Sequence, residues 1–171
     1  MIEDQQGGGK MSRCVYNRLT VSGGKDDLAV FSTEVRTAVK NAADKQCSKA
    51  WYAEAGLLDA FYDSKMKQID GSIIIDWITD RETPAFELQA ISKTYPKCLF
   101  EFVFMDEGPD YAGAESYKGG VCLAKVFVPH EEMRHYYAIP NAENGLDEDD
   151  DEVVVFDDLV PALVKRLVKE K

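Results

Sequence analysis

The segment Ser72–Thr79 constrains the fold most, because it is apolar on both sides of an alternating pattern. Ile73, Ile75 and Trp77 share one face, and Ile74 and Ile78 share the other. Side chains alternate across a strand, so this pattern predicts an inner strand of a sheet covered on both sides. Asp70-Gly71 directly before it is a two-residue hairpin signal, which pairs it with a preceding strand within Leu58–Gln68.

The flanking segments fill in the order. Val15–Ser22 alternates, with Val15, Asn17, Leu19 and Val21 on one face, and Gly23-Gly24 ends it. Asp26 or Asp27 then caps a helix to about Asn41, with the stripe Leu28, Phe31, Val35 and Val39. Thr83-Pro84 opens a second helix with the stripe Phe86, Leu88 and Ile91, ending at Tyr95-Pro96. Leu99–Met105 is a fourth strand, with Phe100, Phe102 and Phe104 on one face and Leu99, Val103 and Met105 on the other. Tyr111–Tyr117 and Val121–Val128 form a hairpin through Lys118-Gly119-Gly120. The expected class is α+β: a β-α-β-β-α-β, ferredoxin-like split βαβ antiparallel sheet with an added hairpin and a C-terminal helix.

Residues 1–10, with Gly7-Gly8-Gly9, read as a flexible leader, and Met11 as an alternative start. Residues 11–128 read as the ferredoxin-like domain and 129–171 as a C-terminal extension. In that extension Pro140–Glu152 is polar, acidic and aperiodic, and reads as a mobile loop. Val153–Phe156 reads as a short edge strand. Asp157-Asp158 then caps a last helix bearing Leu159, Val160, Leu163, Val164, Leu167 and Val168. That stripe is too apolar to leave in water, so the helix docks on the body.

Charge narrows the partners. The 171 residues carry 20 Lys+Arg and 31 Asp+Glu, a formal net charge of −11. That balance disfavours direct nucleic-acid binding, which needs cations to neutralise phosphates, and disfavours an anionic membrane surface. No apolar run is long enough to span a bilayer. The acidic opening MIEDQQGGGK is unlike a secretory signal. Cys14, Cys47, Cys98 and Cys122 show no C-x-x-C spacing, and three of them sit in apolar strand contexts as small hydrophobes. The reading is a cytoplasmic protein with reduced thiols.

Three segments carry a family resemblance: N-R-L-T-V-S-G (Asn17–Gly23), E-A-G-L-L-D-A-F-Y-D (Glu54–Asp63) and E-F-V-F-M-D-E-G-P-D-Y-A-G (Glu101–Gly113). Over Cys14–Val121 the chain resembles the Api/YubB-like ferredoxin-fold domains of bacteriophages and plasmids. In the middle segment Ala55 and Asp59 stand where that family has tryptophans, and Leu58 where it has lysine. The resemblance implies this fold, a mobile-element origin in a bacterial host and a neighbourhood concerned with host defence. It transfers no chemistry.

Catalytic candidates are sparse. There is no G-x-S-x-G, P-loop or G-x-G-x-x-G motif. The only histidines, His130 and His135, lie five apart in H-E-E-M-R-H, unlike the i, i+4 pair of a zinc protease. No catalytic residue, metal ligand or cofactor is assigned. The aromatics of Leu99–Met105 lack the basic residues of an RNA-recognition signature and read as core.

Two acidic clusters remain. Asp106, Glu107 and Asp110 surround Gly108-Pro109 in a strand-ending turn. Such a turn is either plain solvated punctuation or a recognition turn, and clustered carboxylates hold Mg²⁺ or Ca²⁺. The larger block is Asp147, Glu148, Asp149, Asp150, Asp151 and Glu152. Nine of the 31 acids fall between Pro140 and Asp158, leaving 20 basic against 22 acidic side chains elsewhere. The body is thus nearly neutral, which disfavours a molecule-wide DNA mimic. The block is either a solvated, self-repelling stretch or an arm that occupies a basic groove. The functional expectation is a protein-binding accessory factor, not an enzyme, that inhibits a host defence system of anti-CRISPR or anti-restriction type. Its partner would be a host protein with a basic, nucleic-acid-binding groove. The alternative is a small-molecule, nucleotide or metal-dependent domain using the Asp106–Asp110 turn.

Overall fold

The computed structural model describes residues 14–44, 64–80, 83–106, 111–137 and 148–170. Its elements run β1 (Cys14–Ser22), α1 (Lys25–Asp44), β2 (Lys65–Ile69), β3 (Ser72–Asp80), α2 (Ala85–Thr94), β4 (Leu99–Asp106), β5 (Ala112–Lys118), β6 (Val121–Val128), α3 (His130–Tyr137) and α4 (Glu148–Glu170). The protein is α+β. Its six strands form one sheet in the order β2-β3-β1-β4-β5-β6, and every neighbouring pair is antiparallel.

Alternation explains the first face. On β1, Val15, Asn17, Leu19 and Val21 are buried. They lie beside Ile73, Ile75 and Trp77 of β3 and Phe100, Phe102 and Phe104 of β4. Helices α1 and α2 pack here. Leu28, Phe31 and Val35 of α1 and Leu88 and Ile91 of α2 join the same core. Phe31 meets Tyr95 and Phe100 edge to face, at 5.1 and 5.5 Å between centroids. Asp26 and Asp27 sit in the first turn of α1, where the helix dipole favours anions. Gly23 precedes that helix because a Cβ there would lie 2.9 Å from the Cys98 Sγ. The β5–β6 turn is fastened to α2: Gln89 Nε2 donates to the Gly120 carbonyl at 2.8 Å, and the Gly120 N–H donates to Ser92 Oγ at 3.0 Å.

The opposite face carries a second core. Val103 and Met105 of β4, Ala112 and Ala114 of β5 and Ala124 and Val128 of β6 are buried under α4. That helix contributes Val155, Phe156, Leu159, Leu163 and Leu167, and α3 contributes Met133.

Several expectations are corrected. Glu148, Asp149, Asp150, Asp151 and Glu152 are helical rather than a loop, Val153–Phe156 is helical rather than a strand, and Asp157-Asp158 lies inside α4 rather than capping it. Two facts favour the helix. Residues 155, 159, 163 and 167 form a stripe at helical spacing, and the acidic residues 148–152 fall in the N-terminal turns, the end of a helix that favours anions. Phe86 points outward at 86% exposure, and Ile78 is 58% exposed, so the second face of β3 is only partly covered. Of the strand expected within Leu58–Gln68, the described part is β2, Lys65–Ile69, and residues 58–63 lie outside the described residues. Cys122 is exposed, unlike the buried Cys98. The leader with Met11, Cys47, the Trp51-Tyr52 stretch, the Glu54–Asp63 tract, Glu107, Asp110 and Asp147 lie outside the described residues.

Candidate functional site

Helix α4 presents most of the acidic block. Two ion pairs set its course. Arg18 on β1 grips Asp76 on β3 through Nε at 2.6 Å and Nη2 at 3.2 Å, and reaches Asp157 of α4 through Nη1 at 2.9 Å. Its guanidinium also stacks over the Phe156 ring at 5.6 Å. The Asp76 hydrogen bond, followed by the field of both carboxylates, raises its already high pKa, so the cation is permanent. Further along α4, Arg166 binds Glu132 of α3, the helix that follows β6.

The helix therefore runs from β1 to β6. From Asp157 to Arg166 the helix rises about 14 Å at ~1.5 Å per residue. From β1 across β4 and β5 to β6 is also about 14 Å at ~4.8 Å per strand. The axis thus crosses β4, β5 and β6. Continued in the other direction, α4 carries the backbone of Glu148–Glu152 about 8–14 Å past Asp157, on the β3–β2 side. The acidic residues sit at one end of a helix that the Arg18 clamp fixes to the sheet.

The second candidate divides. Asp106 is 2% exposed, and so is buried rather than presented to solvent. Its backbone N–H donates to the Tyr111 carbonyl at 2.9 Å. Val15 pairs with both Thr79 and Asp106, which places these two on the α1–α2 face at one end of the sheet. Asn17, 1% exposed, lies one position further in and donates from Nδ2 to Thr79 Oγ1 at 3.0 Å and to the Val15 carbonyl at 2.8 Å. Asn17 and Thr79 thus form a buried polar pair, and Asp106 is buried on the same face, across Val15 from Thr79. In the sequence Asn17 stands out only through its motif and its place in the alternation, which assign it no polar role.

A third cluster lies on the same face of β5 and β6. Glu115 is only 4% exposed, accepts a hydrogen bond from the Tyr117 hydroxyl and pairs with Lys125 Nζ at 2.5 Å. The Lys125 ammonium also sits 4.8 Å above the Phe127 ring. In the sequence Glu115 is notable only for its nearness to the acidic turn. The signal that could have found it is its register, as the one charge between inward-facing Gly113 and Tyr117. Burial, and then the hydrogen bond to Glu115, push the Tyr117 phenol well above its ordinary value of 10.0. The unfolded chain then releases this proton at lower pH than the folded one. Stability is full below about pH 10 and falls as the pH rises above it. Urea midpoints compared at pH 9 and pH 11 are expected to show this fall, and Tyr117→Phe to lessen it. Tyr95, raised by burial and then Glu34, accounts for part of the remainder.

Among the described residues no group of three or more His, Cys, Asp or Glu side chains converges as a metal site. Among them, no helix is long and apolar enough to cross a membrane. Comparison with protein-family models, with curated proteins and with solved structures finds no match.

Proposed function

We propose that this chain is a mobile-element accessory protein that works by binding in the host cytoplasm, not by catalysis. Its target is a host protein with a basic, nucleic-acid-binding groove, and the outcome is inhibition of a defence system of anti-CRISPR or anti-restriction type. The core order β2-β3-β1-β4, with α1 after β1 and α2 after β3, fits a ferredoxin-like split βαβ. The β5–β6 hairpin and α4 extend it, in keeping with the resemblance to the Api/YubB-like domains.

One observation carries the reading: the acidic block is presented on a helix end clamped to the sheet by Arg18. A block whose backbone is already helical loses less conformational entropy on docking than a free arm. It also draws a basic partner over a Debye length of about 8 Å at physiological salt. A pull-down from host lysate at low salt tests it, and recovery of no specific partner sinks it. Replacing Glu148 and Glu152 by Gln and Asp149, Asp150 and Asp151 by Asn removes five charges at nearly constant side-chain size, and far-UV circular dichroism checks that the helix content is retained. Association with the recovered partner is expected to slow by about tenfold or more at low salt, the effect fading as salt rises.

The buried carboxylate of Asp106, on the same face as the Asn17–Thr79 pair, supports the alternative, a ligand-binding or metal-dependent domain built on the Asp106–Asp110 turn. Calorimetric titration with Mg²⁺, Ca²⁺ and nucleotides separates the two. Heat that disappears in Asp106→Asn favours the alternative.

A further inference from the structure

The two edges of the sheet differ. Edge strand β2 has five residues and exposes Lys65 and Lys67, the usual defence against a neighbouring strand. Edge strand β6 has eight residues, pairs only with β5 among the described residues, and carries one charge, Lys125. That charge is turned inward onto Glu115 and the Phe127 ring. What the edge offers instead is Val121, Leu123 and Phe127, exposed at 59%, 43% and 54%. An apolar edge whose lysine is neutralised from within is open to strand addition.

We propose that β6 pairs antiparallel with β6 of a second copy, joining two sheets into one of twelve strands. Charge selects this occupant. Any antiparallel register not centred on Lys125 brings no like charges together, because the strand has no other charge. The geometry of α4 also places the acidic block at the far side of the sheet, about 22–28 Å from β6. Across a β6–β6 junction the two blocks stand about 50–60 Å apart, several Debye lengths at physiological salt. Pairing through β2 would bring them together. A basic partner, by contrast, is drawn to the α4 end and not to this charge-poor edge. The dimer surface is thus separate from the partner surface proposed above, and both can be used at once.

Sedimentation of the full chain from 1 to 200 µM tests this (concentrations on the order of the expected Kd). A reversible monomer–dimer equilibrium is expected, changing less than about threefold between 0.1 and 0.5 M salt because the charges are far apart. Val121→Lys with Leu123→Lys is expected to weaken it by more than about tenfold, since both side chains are solvent-facing and the substitutions leave folding intact. Ile69→Lys on the β2 edge is expected to leave it unchanged. Hydrogen exchange of β6 amides in the unaltered chain gives a second reading, with protection rising with concentration. A monomer throughout the range overturns the proposal. So does a dimer indifferent to the β6 lysines, one abolished by Ile69→Lys, or β6 exchange that is independent of concentration.

Discussion

Leu163→Ala is expected to lower unfolding stability by about 3–5 kcal/mol, the range for removing a leucine that its surroundings cannot replace. Leu163 is fully buried at the centre of the α4 stripe, between Leu159 and Leu167. The sheet side of the same core includes Ala112 and Ala114, whose short side chains cannot swing into the space left behind. Their backbones are held in register between β4 and β6. Urea unfolding followed by circular dichroism checks the prediction. Val168→Ala on the same helix, at 60% exposure, is expected to cost less than about 0.5 kcal/mol. If Leu163→Ala costs under about 1 kcal/mol, α4 is an appendage and the second core is not part of the cooperative unit.

Gly113→Val is expected to cost about 3 kcal/mol or more, and to lower Tm by about 6–12 °C, because its Cβ has no room. That atom would lie 2.6 Å from Phe104 Cζ and 2.8 Å from the Val126 carbonyl oxygen. Neither can yield. The oxygen belongs to the β6 backbone, and the Phe104 ring is held by Phe102, Tyr111 and Phe127 at centroid distances of 5.4, 5.9 and 6.1 Å. Gly71 is the control. It has a φ of 72° in the β2–β3 turn, and a Cβ added there would meet nothing within 4 Å. Gly71→Ala therefore meets only backbone strain of about 1–2 kcal/mol. A Gly113→Val protein that melts with the unaltered chain would show that β5 slides away from Phe104.

The sheet was legible where alternation was unopposed. Val15, Leu19 and Val21, the Asp70-Gly71 turn and the phenylalanines of β4 all fall where period-two reasoning puts them. The start of α4 was hidden because Val153, Val154 and Val155 form a β-branched run, and local propensity points there to a strand. The deciding contacts are distant: Tyr16 and Arg18 on β1 receive Phe156 and Asp157. Ile78 and Phe86 escape the pattern for the opposite reason, since an isolated apolar side chain does not need cover. The acidic block was legible as composition but not as shape. Like charges in a row suggest an extended chain, and only the helix dipole and the docked stripe downstream make them helical. Glu115 was visible in register alone, because a buried carboxylate depends on Tyr117 and Lys125 arriving from separate positions.

The path of α4 also orders events during synthesis. The sheet is complete once Val128 has been made, yet Val103, Met105, Ala112 and Ala114 still lack their cover. Leu167, the last buried residue of that cover, is added 39 positions later, about 2–8 s at ~5–20 residues per second. For that interval the nascent chain shows an apolar sheet face to its surroundings, and it closes by joining Arg18 to a residue 139 positions away, Asp157. Exposure to misassembly thus falls late, in the gap between the last strand and the helix that covers it.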